Sequence, residues 1–198
     1  PVGDVRLLAS ERSAGKSLRV CGKSVKVEVL DDFDFADTQI ALFSAGGSVS
    51  AVHAPRAAEA GAIVIDNTSQ FRYDDGIPLV VPEVNGHRVK DGMKSRIIAN
   101  PNCSTIQMVV ALKPIYDAVG IERINVATYQ AVSGAGAGGV RELAKQTADL
   151  LNAKGAEAEV HPVQIAFNAI PQIDDFQDNG YTKEAVSYTH LTLPTSFL

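Results

Sequence analysis

The sequence predicts an α/β protein, with an open, mostly parallel, doubly wound sheet domain followed by a second α/β domain. Three observations carry this. Short strand-like runs recur at residues 5–8, 23–30, 40–44, 61–66 and 96–99, separated by polar turns or helical patterns. A glycine turn, Ala45-Gly-Gly47, stands between one such run and a helical pattern. A cysteine, Cys103, stands where another run yields to a long apolar helical pattern.

The first run, 5–8, leads into Ala9-Ser-Glu-Arg-Ser-Ala-Gly-Lys16. In a nucleotide-binding βαβ unit such a turn meets the adenine ribose, where an acidic residue favours a free 2′-hydroxyl and an Arg accommodates a 2′-phosphate. Both are present, Glu11 and Arg12, flanked by Ser10 and Ser13. Arg with two hydroxyls suits phosphate better, although a plain solvated turn has the same composition. Residues 23–30 alternate, with Val25, Val27 and Val29 on one face. The run 40–44 ends at Ser44 and Ala45-Gly46-Gly47, with Ser48 a candidate cap for a helix through Glu59. Strand, Gly-Gly turn and helix is how parallel sheets present backbone N–H groups to a ligand at the strands' carboxyl ends.

The run 61–66 leads into the polar cluster Asn67-Thr-Ser-Gln-Phe-Arg72. Arg72 could grip an anion through its fork of donors, or pair with Asp74 or Asp75 on the surface. Residues 79–84 read as a further strand, at an edge because of Pro82. The stretch Ile98-Ala-Asn-Pro-Asn-Cys-Ser-Thr-Ile106 follows. A cysteine at a strand-to-helix junction meets converging N–H groups and a positive helix dipole, and both favour the thiolate. Asn102, Ser104 and Thr105 can cap or hydrogen-bond there.

Residues 105–118 are apolar almost all round, which predicts a buried helix, kinked near Pro114. Residues 121–129 read as a strand delivering Gln130 and the glycine-rich Gln130-Ala-Val-Ser-Gly-Ala-Gly-Ala-Gly-Gly139. An amphipathic helix follows, with Val140, Leu143, Ala144, Thr147, Ala148 and Leu151 at helical spacing. The glycine-rich turn lacks the Gly-Lys-Ser/Thr ending of a P-loop. Thr182 is a candidate cap for one more helix start. Cys21 reads as a structural residue.

The 198 residues allow one large or two small domains, and 45% hydrophobic with 21% charged residues is ordinary globular composition. A formal net charge of -5 with scattered basic residues argues against nucleic acid and anionic membrane as partners. No apolar run reaches the ~18 residues of a membrane span. Two cysteines, Cys21 and Cys103, form no disulfide framework, and no His/Cys spacing suggests a metal, so a reduced cytoplasmic compartment fits. A nucleophilic thiol commonly uses a His base. Of His53, His87, His161 and His190 only His161 is a weak candidate, and His190 lies in a Thr/Leu-rich tail, 187–198, unlike the rest.

Taken together, Pro101-Asn-Cys-Ser-Thr105, Tyr129-Gln-Ala-Val-Ser-Gly-Ala-Gly136, Asp66-Asn-Thr-Ser-Gln-Phe-Arg72, Ser10-Glu-Arg-Ser-Ala-Gly15 and Gly180-Tyr-Thr-Lys-Glu184 closely resemble the bacterial aspartate-semialdehyde dehydrogenase family. The likeness runs from Pro1 to about Ala185. It implies a Rossmann-like NADP-binding domain over 1–100, its first strand missing, and a truncated catalytic and dimerisation domain over 101–186. The tail 187–198 is then unrelated.

The resemblance implies reduction of L-aspartyl 4-phosphate by NADPH to L-aspartate 4-semialdehyde with release of phosphate, in lysine, threonine, methionine and isoleucine synthesis, by a homodimer. Cys103 becomes the nucleophile, Gln130 a substrate contact, and Arg72 and Asn102 substrate or phosphate ligands. Ser10, Arg12, Ser13, Asn67, Ser133 and Gly134 touch NADP, and Ser44, Ala45, Gly46 and Gly47 line its cleft. The family's first glycine-rich turn should precede Pro1 and its catalytic His should follow Val186, so the chain alone is expected to be inactive. Two alternatives stay open: N-acetyl-gamma-glutamyl-phosphate reductase, whose motif tends to read Pro-Gly-Cys, and a non-catalytic structural or dimerisation module.

Overall fold

The computed structural model describes residues 3–182, 184 and 185. The tail expected at 187–198, with His190, lies outside them. The chain divides into two compact units, one through Ala118 and one from Val119 onward.

The first unit holds two three-stranded sheets. In one, β1 (Leu7–Ala9) runs parallel to β3 (Lys23–Val29), and β2 (Ser17–Val20) pairs antiparallel on the other side of β3. The β2 strand escaped the sequence reading because its four residues have no clear alternation. Its partner fixes it, through a two-residue turn in which Cys21 and Gly22 both have positive φ, 47° and 81°. Cys21 is therefore an exposed turn residue and not a packed one.

The second sheet is all parallel, in the order β4 (Ile40–Phe43), β5 (Ile63–Asp66), β6 (Ile97–Ala99). The helix α1 (Gly47–Glu59) connects β4 to β5. It lays Ala54, Ala57 and Ala58 against Ala41, Phe43, Val64, Ile97 and Ala99, with Phe35 and Phe71 closing the core. Small alanines let the helix approach closely, while the opposite side of β4 keeps Leu42 77% exposed. The helix starts at Gly47 after Gly46, with no side-chain cap, so Ser48 is not its N-cap.

Residues 79–84 do not form the expected strand. Leu79 makes a single parallel bridge to Ala99, and Pro82 then opens the short helix α2 (Pro82–Asn85). Proline's fixed φ and missing N–H suit a first helical turn better than a ladder. Asn85 closes the turn, accepting from Val81 N at 2.8 Å and donating to Leu79 O at 3.0 Å. A third helix, α3 (Val89–Ser95), precedes β6.

From β6 the chain enters α4 (Cys103–Val119), which contains Pro114. Only Thr105 and Val109 on this helix are buried, against the expectation of all-round burial. Ile106, Met108, Val110 and Leu112 are half-buried, and Ile115 and Val119 are exposed.

In the second unit, residues 121–129 form no strand, and Tyr129 is 97% exposed. The β-branched run finds no sheet partner among the described residues, and strand propensity without a partner does not make a strand. The helix α5 (Gly136–Leu151) is present, but its buried side is not the apolar stripe. Gly139, Glu142 and Gln146 are buried, whereas Val140 and Leu151 are exposed. The reason is a polar network. Glu142 accepts from the N–H groups of Glu159, Val160 and His161 and bonds His161 Nδ1 at 2.7 Å. Gln146 donates to Glu157 O at 2.8 Å and accepts from Ile165 N and Ala166 N. The segment 157–166 has no regular structure, so it takes its hydrogen bonds from the helix instead. Thr182 accepts from Ala185 N at 3.2 Å, the cap expected of it.

Candidate active site

Strand register builds the site. Phe43 is paired with Asp66, and Asp66 with Ala99, so the three parallel strands end in line. The next residues, Ser44, Asn67 and Asn100, therefore stand side by side at the carboxyl edge, where parallel sheets hold ligands. Backbone bonds continue the ladder by one step, Asn67 N to Phe43 O at 2.8 Å and Asn100 N to Asp66 O at 3.0 Å. Side chains then bridge the row: Asn67 Nδ2 donates to Ser44 Oγ at 3.4 Å and Asn100 Nδ2 to Asn67 Oδ1 at 2.5 Å.

Arg72 closes this row. Its Nε donates to Asn100 O at 3.0 Å and its Nη2 to Asn67 O at 3.1 Å. The half-buried guanidinium thus sits over two strand exits, which a surface pair with Asp74 would not have achieved. Asp74 instead caps its own turn, accepting from Gly76 N at 2.9 Å.

Three residues beyond Asn100, α4 begins at Cys103 itself. Asn102 is its cap, with Oδ1 accepting from Thr105 N at 2.9 Å and its carbonyl accepting from Ile106 N at 3.1 Å. Cys103 is exposed and free, in the first turn of a 17-residue helix. The Thr105 hydroxyl, on the buried side of the same turn, has no hydrogen-bond partner among the described residues.

The remaining candidates fall into two groups. Arg12 and Ser13 lie in a single-turn 3-10 helix, Glu11–Ser13, which Ser10 precedes directly after β1; Ser10 and Arg12 are exposed and Ser13 is half-buried. Ala45, Gly46 and Gly47 make the turn from β4 into α1, with Gly46 at φ 107°, a conformation that favours glycine. With no side chain capping α1, its first N–H groups have no side-chain acceptor there. Gln130, Ser133 and Gly134 belong to the second unit. Gln130 is exposed and donates to Glu184 Oε1 at 3.3 Å, and Ser133 and Gly134 lie in the 3-10 turn Val132–Ala135.

The sequence reading missed Asn100 as a bridging residue, and missed Asp66, Ser50 and Thr68 beneath the row. A carboxylate closing an apolar strand was the available signal. It also missed Glu142. Burial pushes that carboxyl's pKa up, but the N–H of Glu159, the His161 ring and the N–H groups of His161 and Val160 more than offset this, holding it at about 2 against 4.5. His161 is thereby oriented by a carboxylate on one ring nitrogen. No cluster of His, Cys, Asp and Glu among the described residues could hold a metal ion, and no described helix is long and apolar enough to cross a membrane.

Comparison with known proteins gives the same outline. Residues 1–92 match the family model "Semialdehyde dehydrogenase, NAD binding domain", and residues 112–192 match "Semialdehyde dehydrogenase, dimerisation domain". The chain is 66% identical over 184 residues to aspartate-semialdehyde dehydrogenase 2 of Vibrio cholerae, covering 93% of this chain and 55% of that protein. It is 54% identical over 193 residues to aspartate-semialdehyde dehydrogenase of Bacillus subtilis, covering 94% and 55%. Among solved structures, aspartate semialdehyde dehydrogenase II of Vibrio cholerae complexed with ASA superposes with a TM-score of 0.94 at 62% identity, covering 98% of this chain and 58% of that one. The chain thus spans a little over half the length of these relatives. Two family models in chain order, which together span most of the chain, establish that it belongs to the semialdehyde dehydrogenase family, and it is similar to the aspartate-semialdehyde members of that family.

Proposed function

We propose that this chain carries the nucleophile and much of the cofactor surface of an NADP-dependent aspartate-semialdehyde dehydrogenase, which converts L-aspartyl 4-phosphate to L-aspartate 4-semialdehyde for lysine, threonine, methionine and isoleucine synthesis. The observation that carries it is the placement of Cys103. It is exposed, opens a capped helix, and follows directly on a strand exit that Arg72 holds. N–H groups and the helix dipole at that point favour a thiolate and an incoming anion.

The Cys103 sulfur attacks the acyl carbon, the C–O bond to phosphate breaks, and phosphate leaves with its electron pair, giving a thioester. Arg72 and Asn102 receive the phosphate group, and Gln130 contacts the substrate carbonyl. Each well-placed donor at a developing oxyanion is worth about 3–4 kcal/mol in such reactions. The chain's residues fit a dinucleotide. Gly46 leaves the head of α1 open to phosphate, and Arg12, exposed and without an ion pair among the described residues, suits a 2′-phosphate between Ser10 and Ser13. Ser44, Ala45, Gly47 and Asn67 are the further cofactor contacts of the first unit, and Ser133 and Gly134 those of the second. When bound, the reduced dinucleotide supplies hydride. The family's dimerisation domain supports a homodimer, and a cytoplasmic setting suits a free thiol.

The test is NADP-dependent, phosphate-requiring oxidation of L-aspartate 4-semialdehyde by the protein completed to its relatives' length, with Cys103→Ala beside it. The variant should lose at least 1,000-fold in kcat at unchanged fold, whereas unimpaired turnover would overturn the assignment. A preference for N-acetyl-gamma-glutamyl phosphate would transfer the assignment to that reductase.

A further inference from the structure

We infer that Asp66 is a positioning residue for Cys103: its buried carboxylate fixes the turn that holds Arg72, and through it the start of α4. The inference rests on the reading of Cys103 as the nucleophile. Asp66 ends β5 and is fully buried, 0% exposed. A carboxylate so placed must be hydrogen-bonded, and two hydroxyls serve it. Ser50 Oγ donates to Oδ1 at 2.7 Å and Thr68 Oγ1 donates to Oδ2 at 2.8 Å. Ser50 belongs to α1, so one side chain ties that helix to the end of β5. The Thr68 oxygen also accepts from Gln70 N at 3.2 Å, which shapes the turn toward Arg72.

The same residue acts through its backbone. Asp66 O accepts from Asn100 N, and Arg72 bonds both Asn67 O and Asn100 O. Between Asn100 and Cys103 stand only buried Pro101 and the capping Asn102. Displacement of the 66–72 turn therefore reaches the sulfur through three residues with little freedom. An apolar side chain would serve a core position at least as well for stability alone. What a side chain with two polar atoms adds is direction, since two short hydrogen bonds hold both hydroxyls in one geometry.

The test uses the chain itself. Cys21 and Cys103 are both exposed, so limiting iodoacetamide followed by peptide mass spectrometry gives the ratio of their alkylation rates, with Cys21 as internal reference. Asp66→Ala should lower the Cys103/Cys21 ratio at least 3-fold. Asp66→Asn should stay within 2-fold of the parent, because its amide oxygen and NH2 can each satisfy one hydroxyl. Phe35→Leu, a core change with no bond to the row, should leave the ratio unmoved at comparable loss of stability. An unchanged ratio in Asp66→Ala, or an equal fall in Phe35→Leu, overturns the inference. Should Asp66→Ala fail to fold, Thr68→Val removes one of the two bonds at nearly constant volume. It should lower the ratio at least 2-fold, and an unmoved ratio there overturns the inference too. The parent ratio separates the two claims: a value at or below one counts against Cys103 as nucleophile, and the variants' shifts still decide Asp66.

Discussion

Adjacent glycines at the head of α5 should respond to alanine with opposite signs. A Cβ on Gly139 would lie 2.6 Å from Val132 O, 3.0 Å from Ala135 Cβ and 3.3 Å from the His161 ring. The nearest of these is backbone, so relief requires the turn Val132–Ala135 to retreat by about 0.8 Å to reach ordinary contact. That turn carries Ser133 and Gly134. Overpacking costs about 1–3 kcal/mol in general, and a clash this close with backbone takes the upper part of that range, about 2–3 kcal/mol, against about 1 kcal/mol that alanine gains over glycine in a helix. Gly139→Ala should therefore destabilise by about 1–2 kcal/mol. A Cβ on Gly138 meets only Val160 Cγ2 at 3.4 Å, an ordinary contact, so the helical gain stands and Gly138→Ala should stabilise by about 0.5–1 kcal/mol. Urea unfolding followed by helix circular dichroism reads both, and amide exchange at 132–135 should quicken only in Gly139→Ala. Two shifts of the same sign, or a Gly139→Ala as stable as the parent, would refute the steric argument.

Other outcomes follow from single contacts. Glu142 is held at about 2, below its ordinary 4.5, so its contribution is complete above pH 4.5 and is lost as pH falls through about 2. The amide resonances of Glu159, Val160 and His161 should titrate with a midpoint near 2, and a midpoint near 4.5 would show that the clamp is not made. Gln146→Ala leaves Ile165 N, Ala166 N and Glu157 O without their partner and should cost about 2–3 kcal/mol in urea unfolding, whereas a loss under 1 kcal/mol would mean that water replaces the amide. Thr105→Val removes a buried hydroxyl that bonds nothing among the described residues, so the melting temperature should hold or rise; a clear fall would reveal a partner for that oxygen.

The local geometry of the candidate site was legible where chemistry and chain order coincide. Asn102, Cys103 and the helix they open are neighbours in sequence, and capping is a local interaction. Arg72 was visible as a donor after a strand, but whether it met Asp74 or the strand exits depended on register. Where local and tertiary signals diverged, the tertiary one won. The 121–129 run has strand propensity without a partner among the described residues, and the 79–84 run has a proline that suits a helix start better than a ladder.

The amino-acid order by itself determined the α/β character, the Gly46 turn, the Cys103 junction and the family, since each depends on residues a few positions apart. The tertiary structure decided the row Ser44–Asn67–Asn100, because parallel pairing aligns strands that lie 23 and 33 residues apart in sequence. It also decided the polar side of α5. Helical periodicity records which residues share a face, but an irregular segment that needs hydrogen bonds can make the polar face the buried one.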